Sequence, residues 1–278
     1  MRRADGVLYT VVAAFAAFVV MQIVDRQASV PPEPIEEVAD ASDDPAAFST
    51  LAKHRRPEVV RSPTDDERAD VTSTVVAANS GAAPVKRDDA EIRSRINSAS
   101  ETYMADMLFD LGGTLVRWPY QHDRALRIWV QSGTDVRDWD LRDAMLAREA
   151  FGEWGSDDLP MRFDFVIDSA TSDVHIAWVD RFPPTDRMRV GFTKRVTDAN
   201  GWIVGADIVV AVHDSAGIML RPPEISSIVR HEAGHALGLG HSRDSHTKMF
   251  PTEIMHEITV SDRATLRLLY QLPPGPVK

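Results

Sequence analysis

The sequence predicts an α+β domain in which a single twisted sheet, mostly of five strands, carries three packed helices. Three observations predict it. Apolar and β-branched residues alternate in five short runs, which is the period-2 signature of half-buried strands. Three longer segments carry the 3.6-residue period and helix-start signals instead. Folded mass is also concentrated in one place: all six Trp lie between Trp118 and Trp202, whereas residues 25–102 contain one aromatic, Phe48. The core is therefore expected between Leu115 and Leu272, about 160 residues, enough for one ordinary domain.

The strands are expected at Ala125–Gln131, Met161–Ile167, Val174–Val179, Val190–Arg195 and Ile203–Val210. Between the first two lies a helix from Asp138 to about Trp154, with Leu141, Met145 and Trp154 on its apolar face. Pro222-Pro223-Glu224 opens a second helix that runs to Leu237, proline being tolerated where the first turn has no internal acceptor. Ser261-Asp262 caps a third through Thr265, Leu266, Leu268, Leu269 and Tyr270.

Upstream the chain changes character. Residues 1–27 read as a signal anchor: Arg2 and Arg3 precede an apolar run from Val7 to Val24, long enough at 1.5 Å per residue to cross a hydrocarbon core of about 30 Å. The positive charges would stay in the cytoplasm, leaving the rest of the chain outside it as a single-pass membrane protein. A cleaved signal peptide followed by secretion is the competing reading. Residues 28–100 are rich in Pro, Ala, Ser, Thr and charge, and are expected to be a disordered linker, because so few apolar groups cannot offset the entropy of ordering. The domain proper is expected over 101–278, with a short helix from about Glu91 to Leu111 leading into it and ended by Gly112-Gly113.

Composition excludes several classes of function. The formal net charge is -11, from 31 Lys+Arg against 42 Asp+Glu, which disfavours a grip on nucleic acid, since that needs clustered cations to displace counterions. The chain contains no Cys, so disulfides, thiolate-bound metal and thiol catalysis are all excluded. Any metal must sit on His, Asp or Glu.

One segment carries chemistry: His231-Glu232-Ala233-Gly234-His235-Ala236-Leu237-Gly238-Leu239-Gly240-His241. His231 and His235 are i and i+4, so both imidazoles leave the same helix face. Gly238 can take a left-handed conformation, end the helix and let the chain return His241 as a third ligand. Three neutral imidazoles leave an open position on Zn²⁺, the arrangement of a catalytic site. Glu232 stands beside that position as general acid and base. An accidental pattern of core or surface histidines is the bland alternative, and Glu253 or Glu257 as third ligand another, although the latter leaves Gly238 and His241 without a purpose.

This segment resembles the zinc-binding consensus of the metzincin peptidases. Met249, followed by Phe250-Pro251, resembles the Met-turn beneath the metal in that clan, and Ser242 after the third histidine points to the matrixin branch. The resemblance implies a metzincin-like fold, one catalytic zinc on His231, His235 and His241, Glu232 as catalytic residue, Met249 as a structural support, and hydrolysis of peptide bonds; the orientation of the anchor makes extracytoplasmic proteins the expected substrates. Vertebrate-type matrixins add a structural zinc; here only His175 and His213 are available, each isolated in sequence, so a second zinc or Ca²⁺ lacks support. Asp157-Asp158 reads as a loop, and His246 and His256 as borders of the cleft. The thiol that keeps such enzymes latent is absent, so either the enzyme is constitutively active or a carboxylate N-terminal to Trp118 plugs the site, with Asp106 and Asp110 as candidates by location.

A protein or peptide substrate is expected to lie along 203–210 as an edge strand, whose unpaired backbone groups accept an extended chain. A monomer is expected. A catalytically idle binding or adhesion module at the cell envelope is the alternative function, against which the retained Glu232 argues.

Overall fold

In the computed structural model the described residues are 70–278, apart from 78–79, 81, 83–85, 120–123, 156–158, 160, 184–188 and 253–255. The expected anchor over 1–27 and the linker as far as residue 69 lie outside them. Among the described residues no helix is long and apolar enough to cross a membrane. The elements are β1 (Val71–Val75), α1 (Asp89–Ser98), α2 (Met104–Asp110), β2 (Thr114–Leu115), β3 (Leu126–Val130), α3 (Leu141–Gly152), β4 (Phe163–Val166), β5 (Val174–Val179), β6 (Gly191–Thr197), β7 (Ile203–Ala211), α4 (Pro222–Ala236), α5 (Val260–Gln271) and β8 (Gly275–Pro276).

The fold is mixed α/β around a mostly parallel sheet in the order β1-β6-β7-β5-β3-β4, in which β6 against β7 is the antiparallel pair. β2 and β8 form a small antiparallel pair of their own. Alternation explains the strands: Leu126, Ile128 and Val130 of β3, and Val174, Ile176 and Trp178 of β5, are buried while their neighbours are only partly so. The helix α3 begins after Asp140, whose carboxylate accepts from Arg142 N (2.6 Å) while Asp143 accepts from Asp140 N (3.1 Å). It packs on α4 and buries Ala144, Ala147, Ala150 and Phe151, the small alanines allowing close approach. Trp154, just past its end, donates from Nε1 to Arg230 O of α4 (2.8 Å). The other side of α4 packs on β6 and β7.

Several expectations need correction. The sheet has six strands rather than five, because Val71–Val75, assigned to the linker, pairs with β6. The described residues contain five α-helices rather than three. Within 28–100, residues 71–75 thus form a strand where linker was expected, and 89–98 form a helix near the start of the one expected from about Glu91. The single helix expected over 91–111 is two, α1 and α2, burying Ile92, Ile96, Met104 and Met107 against the domain. Its aromatic-poor sequence docks on apolar surface supplied by the rest of the chain, so local composition understated its burial. The stretch 203–210 is not an edge: β7 lies between β5 and β6, and its near-continuous apolar character reflects burial on both sides. Finally, Thr259 rather than Ser261 caps α5, with Asp262 completing the capping box from the first turn.

Candidate metal centre

The α4 helix delivers His231 and His235 from consecutive turns and then stops at Gly238. Gly238 has φ +109°, and a Cβ there would press on Val116 O. Its N–H donates to His235 O (2.9 Å) and the following Leu239 N–H to Gly234 O (3.0 Å), a Schellman ending that reverses the chain. The carbonyls that the last turn leaves open are taken by long-range donors: Trp118 Nε1 to Ala236 O (2.9 Å), Tyr270 Oη to Leu237 O (3.0 Å), and the buried guanidinium of Arg195 to His235 O and Leu239 O (both 3.2 Å). The reversal brings the His241 ring to 5.6 Å from His231 and 4.8 Å from His235, centroid to centroid.

Each imidazole is held from behind at Nδ1. His231 meets Lys248 O (2.8 Å), His235 meets Leu239 O (3.0 Å), and His241 meets Asp110 Oδ1 (3.2 Å). These partners only accept, so each Nδ1 carries a proton and each Nε2, in the neutral ring, presents a lone pair inward. There the three nitrogens meet a fourth acceptor, the carboxylate of Asp70, at 2.9 Å from His231 Nε2, 3.1 Å from His235 Nε2 and 2.8 Å from His241 Nε2. The four ligand atoms lie within 4.8 Å of one another. His231 Nε2 and His235 Nε2 stand 3.1 Å apart, and both Asp70 Oδ1 and His241 Nε2 are buried without a hydrogen bond of proper geometry. Lone pairs converging in a buried space repel one another unless a cation lies between them. The donor set, three imidazole nitrogens and a carboxylate oxygen, suits Zn²⁺.

Burial and the facing carboxylates act on His235 and His241 in opposite directions. Burial holds His235 neutral, its pKa down to about 4 against the opposing pull of Asp70. Burial also opposes charge on His241, but its bonds to Asp110 and Asp70 outweigh this and push it up to about 10. A proton there satisfies one acceptor of four, whereas a divalent cation satisfies all. Asp70 would be raised by burial, yet His235 and His231 hold it well below the usual carboxylate range.

Glu232 follows His231 on α4 and is 2% exposed. Its Oε2 accepts from Thr193 Oγ1 of β6 (2.6 Å). Burial first, then the charge of Asp70, raise its pKa well above the ordinary glutamate value. Beneath the histidines, Met249 is fully buried and packs against Gly234, where a Cβ would collide with its sulfur. The turn is closed by Ser242 N–H to Met249 O (2.9 Å) and anchored from below by Asp262, which is wholly buried. Asp262 accepts from Lys248 N (2.9 Å), Tyr103 Oη (2.9 Å), Thr259 N (2.8 Å) and Thr259 Oγ1 (2.7 Å). Sequence reasoning saw Asp262 only as a cap.

The structure therefore brings together His231, Glu232, His235, His241 and Met249, and adds Asp70, which sequence reasoning missed. The signal was available: Asp70 precedes Val71-Thr72-Ser73-Thr74-Val75-Val76, a β-branched run within the presumed linker. Asp110 lies behind His241, on its Nδ1 and backbone N (2.9 Å), rather than at the metal-facing nitrogen, and Asp106 lies near Arg243. Replacing Asp110 by Ala is expected to weaken zinc binding about 10- to 100-fold in a chelator competition, because His241 loses its orienting partner. Unchanged affinity would remove that role.

The remaining candidates stand apart. His175 pairs with Asp207 (3.1 Å), and His213 lies between Asp138 (2.9 Å) and Asp180 (3.0 Å), so neither is isolated as the sequence suggested. The Asp70–histidine group is the only cluster of three or more possible metal ligands among the described residues. His246 is exposed beside Asp244, and Glu257 lies near Arg230, away from the centre. Glu253 and Asp157-Asp158 lie outside the described residues.

Three imidazoles tied back at Nδ1 converge on one point beside a buried glutamate, a donor set that could hold one metal ion. The family model described as Matrixin matches residues 118–271, and the chain belongs to that family. It is a matrixin-like metzincin, and hence a metallopeptidase of a group that uses zinc. The solved structure of myroilysin is similar over 55% of this chain and 82% of that one, at 13% identity and a TM-score of 0.37. Among curated proteins none matches.

Proposed function

We propose that the protein is a zinc-dependent endopeptidase that hydrolyses peptide bonds of extracytoplasmic proteins. The observation that carries this reading is the convergence of three metal-facing Nε2 lone pairs beside Glu232. His231, His235 and His241 would hold the zinc. When bound, zinc polarises the carbonyl under attack and acidifies a water, bringing its pKa to about 7. Glu232 takes the proton of that water as general base and passes it to the amine that leaves, so one water is consumed and an acid and an amine are released. Thr193 fixes the Glu232 carboxylate through its hydroxyl. The location outside the cytoplasm rests on Arg2, Arg3 and the apolar run after them.

The test pairs two measurements on the full chain and on its Asp70→Ala form: zinc content, and cleavage of a peptide library with and without a chelator. One zinc per chain and chelator-sensitive cleavage are expected. A zinc-loaded protein in which neither form cleaves any member would overturn the reading.

A further inference from the structure

We propose that Asp70–Val75 is a built-in occupant of the cleft that keeps the peptidase latent, Asp70 filling the metal's fourth position and β1 taking the place of an extended substrate on β6. This rests on the peptidase reading above and names the regulation of the same site.

The geometry has three parts. The Asp70 carboxylate stands 2.8–3.1 Å from all three metal-facing nitrogens, closer than any other acidic group among the described residues. Its backbone is fixed as well, because Asp70 O accepts from Thr193 N (2.8 Å), the residue whose hydroxyl holds Glu232. From there β1 runs parallel to β6 in the register Val71↔Thr193 to Val75↔Thr197, and Val76 N donates to Thr197 O (2.8 Å). Without β1, β6 would be the open edge of the sheet beside the metal centre, the position where a peptide adds as a strand. The occupied edge is β6, not the 203–210 stretch expected from sequence.

A fourth protein ligand by itself would describe a closed, structural metal site. Glu232 argues otherwise, since a buried carboxylate outside the ligand set costs stability and has no purpose in such a site. The occupant is also built to leave. Thr72, Ser73, Thr74 and Val75 are exposed, so β1 contributes little apolar burial, and backbone pairing, the Asp70 carboxylate and the bond from Arg195 Nε to Ser73 Oγ (3.2 Å) hold it. In a chain without Cys, a carboxylate is the anionic side chain available for this position.

The experiment uses the full chain loaded with Co²⁺, whose visible spectrum reports ligand changes, and acetohydroxamate as a small probe for an open fourth position. In the native protein the probe should leave the spectrum unchanged at concentrations that alter it in Asp70→Ala and Asp70→Asn. A tethered ligand acts at an effective concentration of about millimolar or more, so peptide cleavage by the zinc forms should rise about tenfold or more in these variants. The alternation of backbone bonds set by Asp70 O and Val76 N puts Thr72 and Thr74 on the side facing β6. A Thr72→Pro/Thr74→Pro variant, which leaves Asp70 in place, should open the site partly. Equal probe binding by native protein and variants overturns the latency proposal, as does equal cleavage, and the peptidase reading then survives. An Asp70-dependent spectrum without cleavage by any form sustains Asp70 as ligand and overturns the peptidase reading, and latency with it.

Discussion

In the Asp70→Ala chain, replacing Glu232 by Gln is expected to lower kcat/KM for peptide cleavage by about 10²- to 10⁴-fold while zinc stays bound at one per chain. Gln keeps an oxygen that can accept from Thr193 Oγ1, at 2.6 Å in the native protein, so the side chain stays in place and the fold is kept. What it loses is the capacity to take a proton. The three histidines keep their Nδ1 partners and hence their hold on the metal. Zinc analysis and the melting temperature check the first part and a peptide assay the second. Full activity in the Gln variant would end the assignment of Glu232 as acid and base.

Replacing Asp262 by Ala should have the largest effect on stability. Its carboxylate is wholly buried and takes bonds from Lys248 N, Tyr103 Oη and two groups of Thr259. Without it four donors are left dry, each at about 1–3 kcal/mol, so even at the low end the loss is about 4 kcal/mol. The melting temperature should fall by roughly 10 °C or more. Because Lys248 also provides the carbonyl behind His231, zinc affinity should fall together with stability. Asp262→Asn, which retains one acceptor oxygen, should lose less of both. An unchanged melting temperature in Asp262→Ala would show that the Met249 turn is held by other contacts.

The histidine segment was legible because helix period, glycine ending and third ligand are all local: seven residues from His231 to Leu237 fix two ligands, and Gly238 returns the third. What stayed hidden was long-range. The ladder between β1 and β6 is made of backbone bonds, which leave no hydrophobic mark, so Val71–Val75 looked like linker. The edge was misplaced for a related reason, since pairing order is not a property of any one strand. The inward face of β6 is Gly191, Thr193, Arg195 and Thr197, while Phe192, Lys194 and Val196 are only partly buried. Alternation found the strand but points to the wrong face, because that face serves the metal centre and its helix rather than an oily core. The partnership of Tyr103 with Asp262 joins residues far apart in sequence and had no local sign.

Thr193 makes two attachments: its amide donates to Asp70 O, and its hydroxyl donates to Glu232. The strand edge is thereby a ruler whose zero mark is Glu232. On the function proposed above, an extended chain that paired at Thr193 would be placed at a set distance from Glu232 before its side chains were read, and the bond to be broken would be chosen by backbone register first and by sequence second.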